Sequence, residues 1–266
     1  MAMSGHVLYI PHGGGPLPVM GEPSHDAIVA YLRGVERDLG RPSAIVVVSA
    51  HWECPTPTVT SGATPPLIYD YYGFPPETYQ LRYPAPGSPA VAEKAVGLLA
   101  DAGLEPAVDA DRGFDHGMFI PLMIMYPDAG IPVIQLSMLG SLDPARHIEM
   151  GAAIRPLLEE DVLILGSGLS FHNMNAFGPA NPASGVDPDN EAFDGWLEAT
   201  CTDASFSEAE RTARLVGWRD APAARYNHPR EEHLLPLHVC YGAGGGPATR
   251  AFDGRVLEKK VAAYHW

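Results

Sequence analysis

Residues 44–49 (AIVVVS) form an unbroken run of mostly β-branched side chains, and this run constrains the fold more than any other feature of the sequence. Such a run is typical of a strand that is buried on both faces, as in the parallel sheets of α/β proteins. Runs of the same kind at residues 7–10, 133–137 and 162–165 predict three more strands, the last followed by residues 166–168 (GSG).

Segments with helical spacing alternate with these strands. Ser24 is a candidate N-cap for the first helix, and Gly103 closes the second. Strands that alternate with helices predict an α/β fold with three layers, α/β/α, around a central mixed or mostly parallel sheet. The predicted helices are residues 24–39, 89–102, 144–158, 187–201 and 233–241, and we expect Gly242 to end the last of them.

The overall composition limits the class of protein. The length of 266 residues, without repeats or linker-like segments, predicts one domain over residues 1–266. The net charge of −15 argues against binding to nucleic acid or to a membrane, since both require a basic surface. The sequence offers no signal peptide, no membrane span and only three scattered cysteines. We therefore expect a cytoplasmic protein, as a monomer or a small homo-oligomer.

Histidines follow three of the four predicted strands. His12 and His51 come directly after two of these strands, and His172 follows the third within a few residues. Ligands of α/β sheets bind outside the carboxyl ends of the strands, so these imidazoles are expected to meet there. His116 and His233 lie in similar polar segments. Because imidazole is the commonest metal ligand in proteins, the pattern predicts a site for one metal ion.

Other catalytic patterns are incomplete in this sequence. Residues 166–170 (GSGLS) lack the second glycine of a serine-hydrolase nucleophile elbow, and the glycine-rich residues 242–246 follow a helix rather than a strand. The remaining histidines have no strand-end or glycine-rich setting. We therefore expect surface positions for His6, His25, His147 and His265.

Six segments, in order along nearly the whole chain, resemble one known family. The chain resembles the class III extradiol ring-cleavage dioxygenases of the LigB-like superfamily, and within it the single-domain DOPA 4,5-dioxygenase (DODA)-type group. A single one of these segments would be weak evidence, but their order makes the resemblance specific. The segments are 10–16 (IPHGGGP), 49–53 (SAHWE), 70–87 (with DYYGFP and YQLRYPAPG), 112–117 (RGFDHG), 166–173 (GSG and HN) and 228–237 (HPREEHLLPL).

The resemblance implies roles for five histidines. His12, His51 and His233 correspond to the metal ligands of the family. His172 corresponds to the histidine that deprotonates the catechol and later returns the proton. His116 corresponds to a second active-site histidine, near the substrate or oxygen.

Four further residues are implied to support the metal or to bind substrate. His228 is close to the third ligand in sequence, and Glu232 remains an alternative to His233 because the broader superfamily uses a glutamate as third ligand. Arg82 is a candidate anchor for a substrate carboxylate, with a structural ion pair as the alternative. Tyr72 belongs to the aromatic residues 69–83, which either flank the substrate ring or pack as a loop.

The resemblance also implies the cofactor and the reaction. Three protein ligands on Fe(II) leave positions for two catechol oxygens and for O2, so Fe(II) is expected for activity, with Zn(II) possible in the same site. The expected partners are a small catechol, DOPA-like or simply substituted, and O2. Two alternatives stay open: a zinc-dependent hydrolase-like enzyme, and a metal-binding scaffold similar to the Memo-type proteins, without ring cleavage.

Overall fold

A computed structural model of the chain describes residues 5–178 and 185–266. In these ranges eight strands form one mixed sheet, in the order β4-β3-β5-β2-β6-β1-β8-β7. The central strands β5, β2, β6 and β1 run parallel, while β8 is antiparallel to β1. The strands are β1 (Val7–Pro11), β2 (Ala44–Cys54), β3 (Thr58–Thr60), β4 (Ala107–Asp109), β5 (Val133–Leu139), β6 (Val162–Gly168), β7 (Thr249–Val256) and β8 (Lys259–His265).

Helices cover both faces of the sheet, which confirms the predicted α/β fold. One core contains residues of α4, α6 and α10, and the other contains residues of α2 and α5. The α-helices are α1 (Leu17–Met20), α2 (Asp26–Leu32), α3 (Val35–Leu39), α4 (Pro89–Asp101), α5 (His116–Met125), α6 (Pro144–Ile154), α7 (Pro188–Thr202), α8 (Glu208–Val216), α9 (Ala224–Asn227) and α10 (Leu235–Gly244). Short 3-10 helices span Pro23–His25, Pro76–Gln80, Arg155–Glu160 and Trp218–Asp220.

Strand β2 shows why the sheet is central. Val46 and Val48 point into the core under α4, α6 and α10, whereas Ile45 and Val47 point into the opposite core. Side chains alternate between the faces of a strand, so a strand that is apolar on both faces requires a layer on each side. None of the helices in the described ranges has the length and apolar character needed to cross a membrane.

Two of the predicted helices are divided in the structure. The segment predicted as one helix over residues 24–39 contains a 3-10 turn, then α2, then α3, with a break at Arg33 and Gly34. The segment predicted over 144–158 is α-helical only to Ile154 and continues as a 3-10 helix that contains Pro156. Proline cannot donate a backbone hydrogen bond, so the regular α-helical pattern ends there.

The prediction that Gly242 ends its helix is wrong. Helix α10 continues to Gly244, and Gly245, with φ of 69°, follows as the cap. Gly242 instead lies where α10 crosses α6, and a Cβ atom there would approach the carbonyl oxygen of Ile148 to 2.0 Å. Gly151 of α6 meets the carbonyl of Val239 in the same way. These glycines allow the two backbones to pack in contact.

We expect Gly242→Ala to lower the free energy of unfolding by about 1–3 kcal/mol, the usual cost of overpacking a close contact. Urea unfolding followed by circular dichroism measures this change. Gly97→Ala is the matched control, because Gly97 lies inside α4 with nothing within 4 Å of an added Cβ. That variant should gain about 0.5–1 kcal/mol from the higher helix propensity of alanine. Equal effects of the two substitutions would contradict a close crossing of α6 and α10.

Candidate active site

A cavity of about 710 Å³ opens at the carboxyl ends of β1, β2 and β6. His12 follows β1 directly, and the loop after β6 carries His172. Strand β2 extends further than predicted, so His51 lies within it, where the pairing with β5 shifts register between Val48 and Glu53. Such bulges redirect side chains next to functional sites. Five histidines line the cavity: His12, His51, His116, His172 and His233.

Three of these imidazoles form a compact triangle. The ring centroids of His12, His51 and His233 are separated by 4.9, 5.2 and 5.0 Å. The Nε2 atoms of His12 and His51 are 3.2 Å apart. Two imidazole nitrogens that each approach one ion at about 2.1 Å would have this separation. The chemistry of the three side chains, together with the nitrogen spacing of His12 and His51, therefore fits a divalent transition-metal ion.

His116 lies beside His12 and His51, and Glu232 lies beside His233. His12, His51 and His116 each offer a nitrogen within 4.8 Å of the others, and His172, Glu232 and His233 form a second group of that size. The ring centroids of His51 and His116 are only 3.9 Å apart. The structure thus brings together all five histidines that the sequence singled out for the metal or for catalysis.

Hydrogen bonds fix the orientation of two triangle members. His12 Nδ1 lies 3.1 Å from Ser167 Oγ, and Ser167 itself donates to the carbonyl of Gly117, so His12 is the donor. His233 Nδ1 lies 2.9 Å from Glu232 Oε1. With the proton on Nδ1, each ring keeps a bare Nε2 for a metal. Ser167 was not among the predicted site residues.

Glu232 connects His233 to His172. The same Glu232 Oε1 that contacts His233 also lies 3.0 Å from His172 Nδ1. The two imidazoles are stacked, with ring centroids 3.4 Å apart. His172 is therefore oriented by the carboxylate through one nitrogen, and its Nε2 remains free as an acceptor.

Asp70 orients His116, and sequence reasoning assigned no role to it. Asp70 Oδ1 accepts hydrogen bonds from both His116 Nδ1 (2.8 Å) and the His116 backbone N–H (2.9 Å). Its second oxygen lies 3.9 Å from His51 Nδ1. One carboxylate thereby faces two of the cavity histidines. The only feature of the sequence that pointed to Asp70 was its position in the DYYGFP segment.

Burial keeps the triangle in the neutral form that binds metals. Burial, followed by the neighbouring histidines, lowers the pKa of His12 and of His233 well below the ordinary value. Burial likewise lowers the pKa of His51, to about 3. Neutral imidazole carries the free lone pair that a metal requires, so these groups are in the coordinating state at neutral pH.

Comparisons with known proteins agree with this site. Residues 7–265 match the family described as the catalytic LigB subunit of aromatic ring-opening dioxygenase. The chain belongs to the LigB family. It is 44% identical to the 4,5-DOPA dioxygenase extradiol of Beta vulgaris over 207 residues, covering 77% of this chain and 74% of that protein. It is 39% identical to the dioxygenase tasH of Hapsidospora irregularis over 276 residues, covering 98% of this chain and 85% of that protein.

A solved structure shows that the fold, too, is shared with a known protein. The crystal structure of an uncharacterized protein from Escherichia coli K12 superimposes with a TM-score of 0.79 at 32% identity, over 98% of each chain. The predicted family, fold class and enzyme class are therefore confirmed. The protein is a non-haem extradiol ring-opening dioxygenase of the LigB family.

The other predicted site residues of this LigB-family enzyme lie in different places. Tyr72 lines the mouth of the cavity and is 91% exposed. Arg82 is exposed and is not among the residues that line the cavity. His228 is fully buried, its Nε2 donates to the carbonyl of Ser170, and burial lowers its pKa to about 3. His228 thus supports the segment that carries His172 and does not face the substrate cavity.

Two histidines expected at the surface are fully buried instead, so that prediction is wrong for them. His25 Nε2 accepts a hydrogen bond from the backbone N–H of Gly14 and supports the loop after His12. His147 Nε2 accepts from the Leu139 N–H, and its Nδ1 donates to the Asp143 carbonyl. Buried imidazoles are stable when both nitrogens have such partners. His6 and His265 are half-buried and contact each other.

Proposed function

We propose that His12, His51 and His233 bind Fe(II) and that the enzyme opens the ring of a small catechol with O2. The observation that carries this proposal is the 3.2 Å separation of the His12 and His51 Nε2 atoms beside His233, inside the cavity of a LigB-family chain. Bound Fe(II) would supply open coordination positions for the two catechol oxygens and for O2. Zn(II) suits the same three imidazoles and binds more tightly, so zinc in a purified sample would not contradict iron in catalysis.

His172 is the proposed general base. The Glu232 carboxylate holds the proton of His172 on Nδ1, which leaves Nε2 to accept the proton of a catechol hydroxyl. The protonated imidazole beside Glu232 then stores this proton and returns it as a general acid. In the same way Asp70 leaves the Nε2 of His116 free, so His116 can hold a second proton near the substrate.

The walls of the cavity suit a single aromatic ring. Tyr71, Phe74, Leu169 and Phe177 line it together with the histidines, and a volume of about 710 Å³ is in the ordinary range for small-molecule sites. Relatives named 4,5-DOPA dioxygenase extradiol support DOPA or a simply substituted catechol as the substrate class. The three free cysteines suit a reducing compartment, which supports the cytoplasm as the proposed location.

The proposed reaction predicts a yellow ring-opened product and consumption of one O2 per catechol. We expect turnover of DOPA or 4-methylcatechol after anaerobic purification and loading with Fe(II), measured by absorbance and an oxygen electrode. We also expect poor turnover of catechols with two or more carboxylates, because the chain carries a net charge of −15. Enzyme loaded with Zn(II) is the control and should be inactive.

Inactivity on a broad catechol panel, with iron confirmed in the site, would contradict the reaction and favour a Memo-like scaffold. Zinc-dependent hydrolysis of an ester or amide would instead favour a hydrolase.

A further inference from the structure

The charged side chains around the cavity are mostly acidic. Glu53, Asp70 and Glu232 line it, whereas Arg230 is the one Lys or Arg side chain among its lining residues within the described part of the chain. A substrate in this cavity is therefore surrounded by three carboxylates and a single guanidinium.

That guanidinium is already occupied. Arg230 Nη1 and Nη2 each donate to a different oxygen of Glu53 at 2.6 Å, and Nη1 lies 3.4 Å from Glu232 Oε2. Two parallel charge-assisted hydrogen bonds make this the strongest common geometry for an Arg–carboxylate pair. The Arg230 side chain is half exposed and that of Glu53 a quarter exposed, so the pair lies at the entrance.

Two arginines that are close in sequence to cavity residues do not add a second guanidinium to the cavity. Arg112 pairs with Asp115 and lies over the ring of Trp52, with the guanidinium carbon 4.4 Å from the ring centroid. Arg225 pairs with Glu231. Neither arginine lines the cavity.

We propose that the cavity selects catechols by the charge of the ring substituent, and that Glu53 is the specificity-determining residue. A neutral or ammonium-bearing substituent is compatible with this lining, because the carboxylates outnumber the one guanidinium. The substituent of DOPA belongs to this class, because its ammonium group offsets its carboxylate. A carboxylate would have to displace Glu53 from Arg230 or lie against acidic side chains. This inference rests on the proposed function, in which the substrate is a catechol, and it specifies the charge of the substituent on the catechol ring.

Three catechols of similar size test the proposal: 4-methylcatechol (neutral), dopamine (ammonium) and 3,4-dihydroxyphenylacetate (carboxylate). Both kcat/KM with the iron-loaded enzyme and Kd under anaerobic conditions are measured. We expect the carboxylate to be at least about tenfold poorer than the neutral catechol in both, the ratio that corresponds to one charge-assisted hydrogen bond. The catechol oxygens and the metal are common to all three, so their contributions cancel in the ratio.

Glu53→Gln frees Arg230. The ratio of kcat/KM for the carboxylate catechol to kcat/KM for the neutral catechol should therefore rise by about tenfold. Glu149→Gln is the matched control, since it removes the same charge from an exposed pair with Arg146 and should leave the ratio unchanged. A wild-type preference for the carboxylate, or an Arg230→Gln variant that loses only the carboxylate, would overturn the proposal by making Arg230 an anchor.

Binding and turnover separate this inference from the proposed reaction. The expected binding order without ring opening would contradict the reaction and support the charge selection. Ring opening with equal kcat/KM and Kd for all three catechols would support the reaction and overturn the selection.

Discussion

Replacing His233 by alanine is expected to weaken metal binding by more than about 100-fold, because even the partners that orient metal ligands contribute 10–100-fold. His233 completes the triangle with His12 and His51, and its buried, neutral ring has Nδ1 held by Glu232. Without it two of the three proposed ligands remain, and we expect turnover to fall in proportion to the lost metal.

Metal content after dialysis against a weak chelator, measured by inductively coupled plasma mass spectrometry, checks this result. His265→Ala is the control, since His265 is a half-buried histidine whose ring contacts His6 and does not line the cavity. Retention of the metal in His233→Ala, together with its loss in Glu232→Ala, would identify Glu232 as the third ligand.

Replacing His172 by alanine is expected to leave the metal bound and to lower turnover by about 10²–10⁴-fold, the usual contribution of a general acid or base. His172 is stacked on His233, but its Nδ1 is held by Glu232 and it lies outside the triangle of proposed ligands. To compare the variant with the wild type, metal content, kcat and anaerobic catechol affinity are measured on the same preparation of each protein.

His6→Ala, at a half-buried position away from the cavity, is the control and should match the wild type in all three quantities. If His172→Ala purifies without metal, the assignment of His172 as a base is wrong and it is a ligand instead.

The strands that carry the site were predictable, whereas the C-terminal hairpin was not. Runs of β-branched residues identify β1, β2, β5 and β6 because these strands are buried on both faces. The turn between β7 and β8 consists of Leu257 and Glu258, both with positive φ, where a two-residue turn of this kind usually has Asn-Gly. The dipeptide Asp253-Gly254, a typical turn signal, instead lies within β7.

Within the site, too, some residues could be predicted from the sequence and others could not. His12 and His51 could be identified because their positions at strand ends are local features of the sequence. Ser167 is 155 residues from His12, and Asp70 is 46 residues from His116, so no short-range spacing links them. Hydrogen-bond partners of this kind are set by tertiary structure, which is why the sequence indicated candidate metal ligands but not all the groups that orient them.

The position of β1 between β6 and β8 has a consequence for how the enzyme is made. Ribosomes add about 5–20 residues per second, so β1 waits about 8–30 seconds for its parallel neighbour, because His12 and Ser167 are separated by 155 residues. During translation the apolar segment Val7–Pro11 therefore remains without its parallel partner until β6 has been made. His233, the third proposed ligand, emerges later still, so the proposed metal site is complete only after most of the chain has left the ribosome.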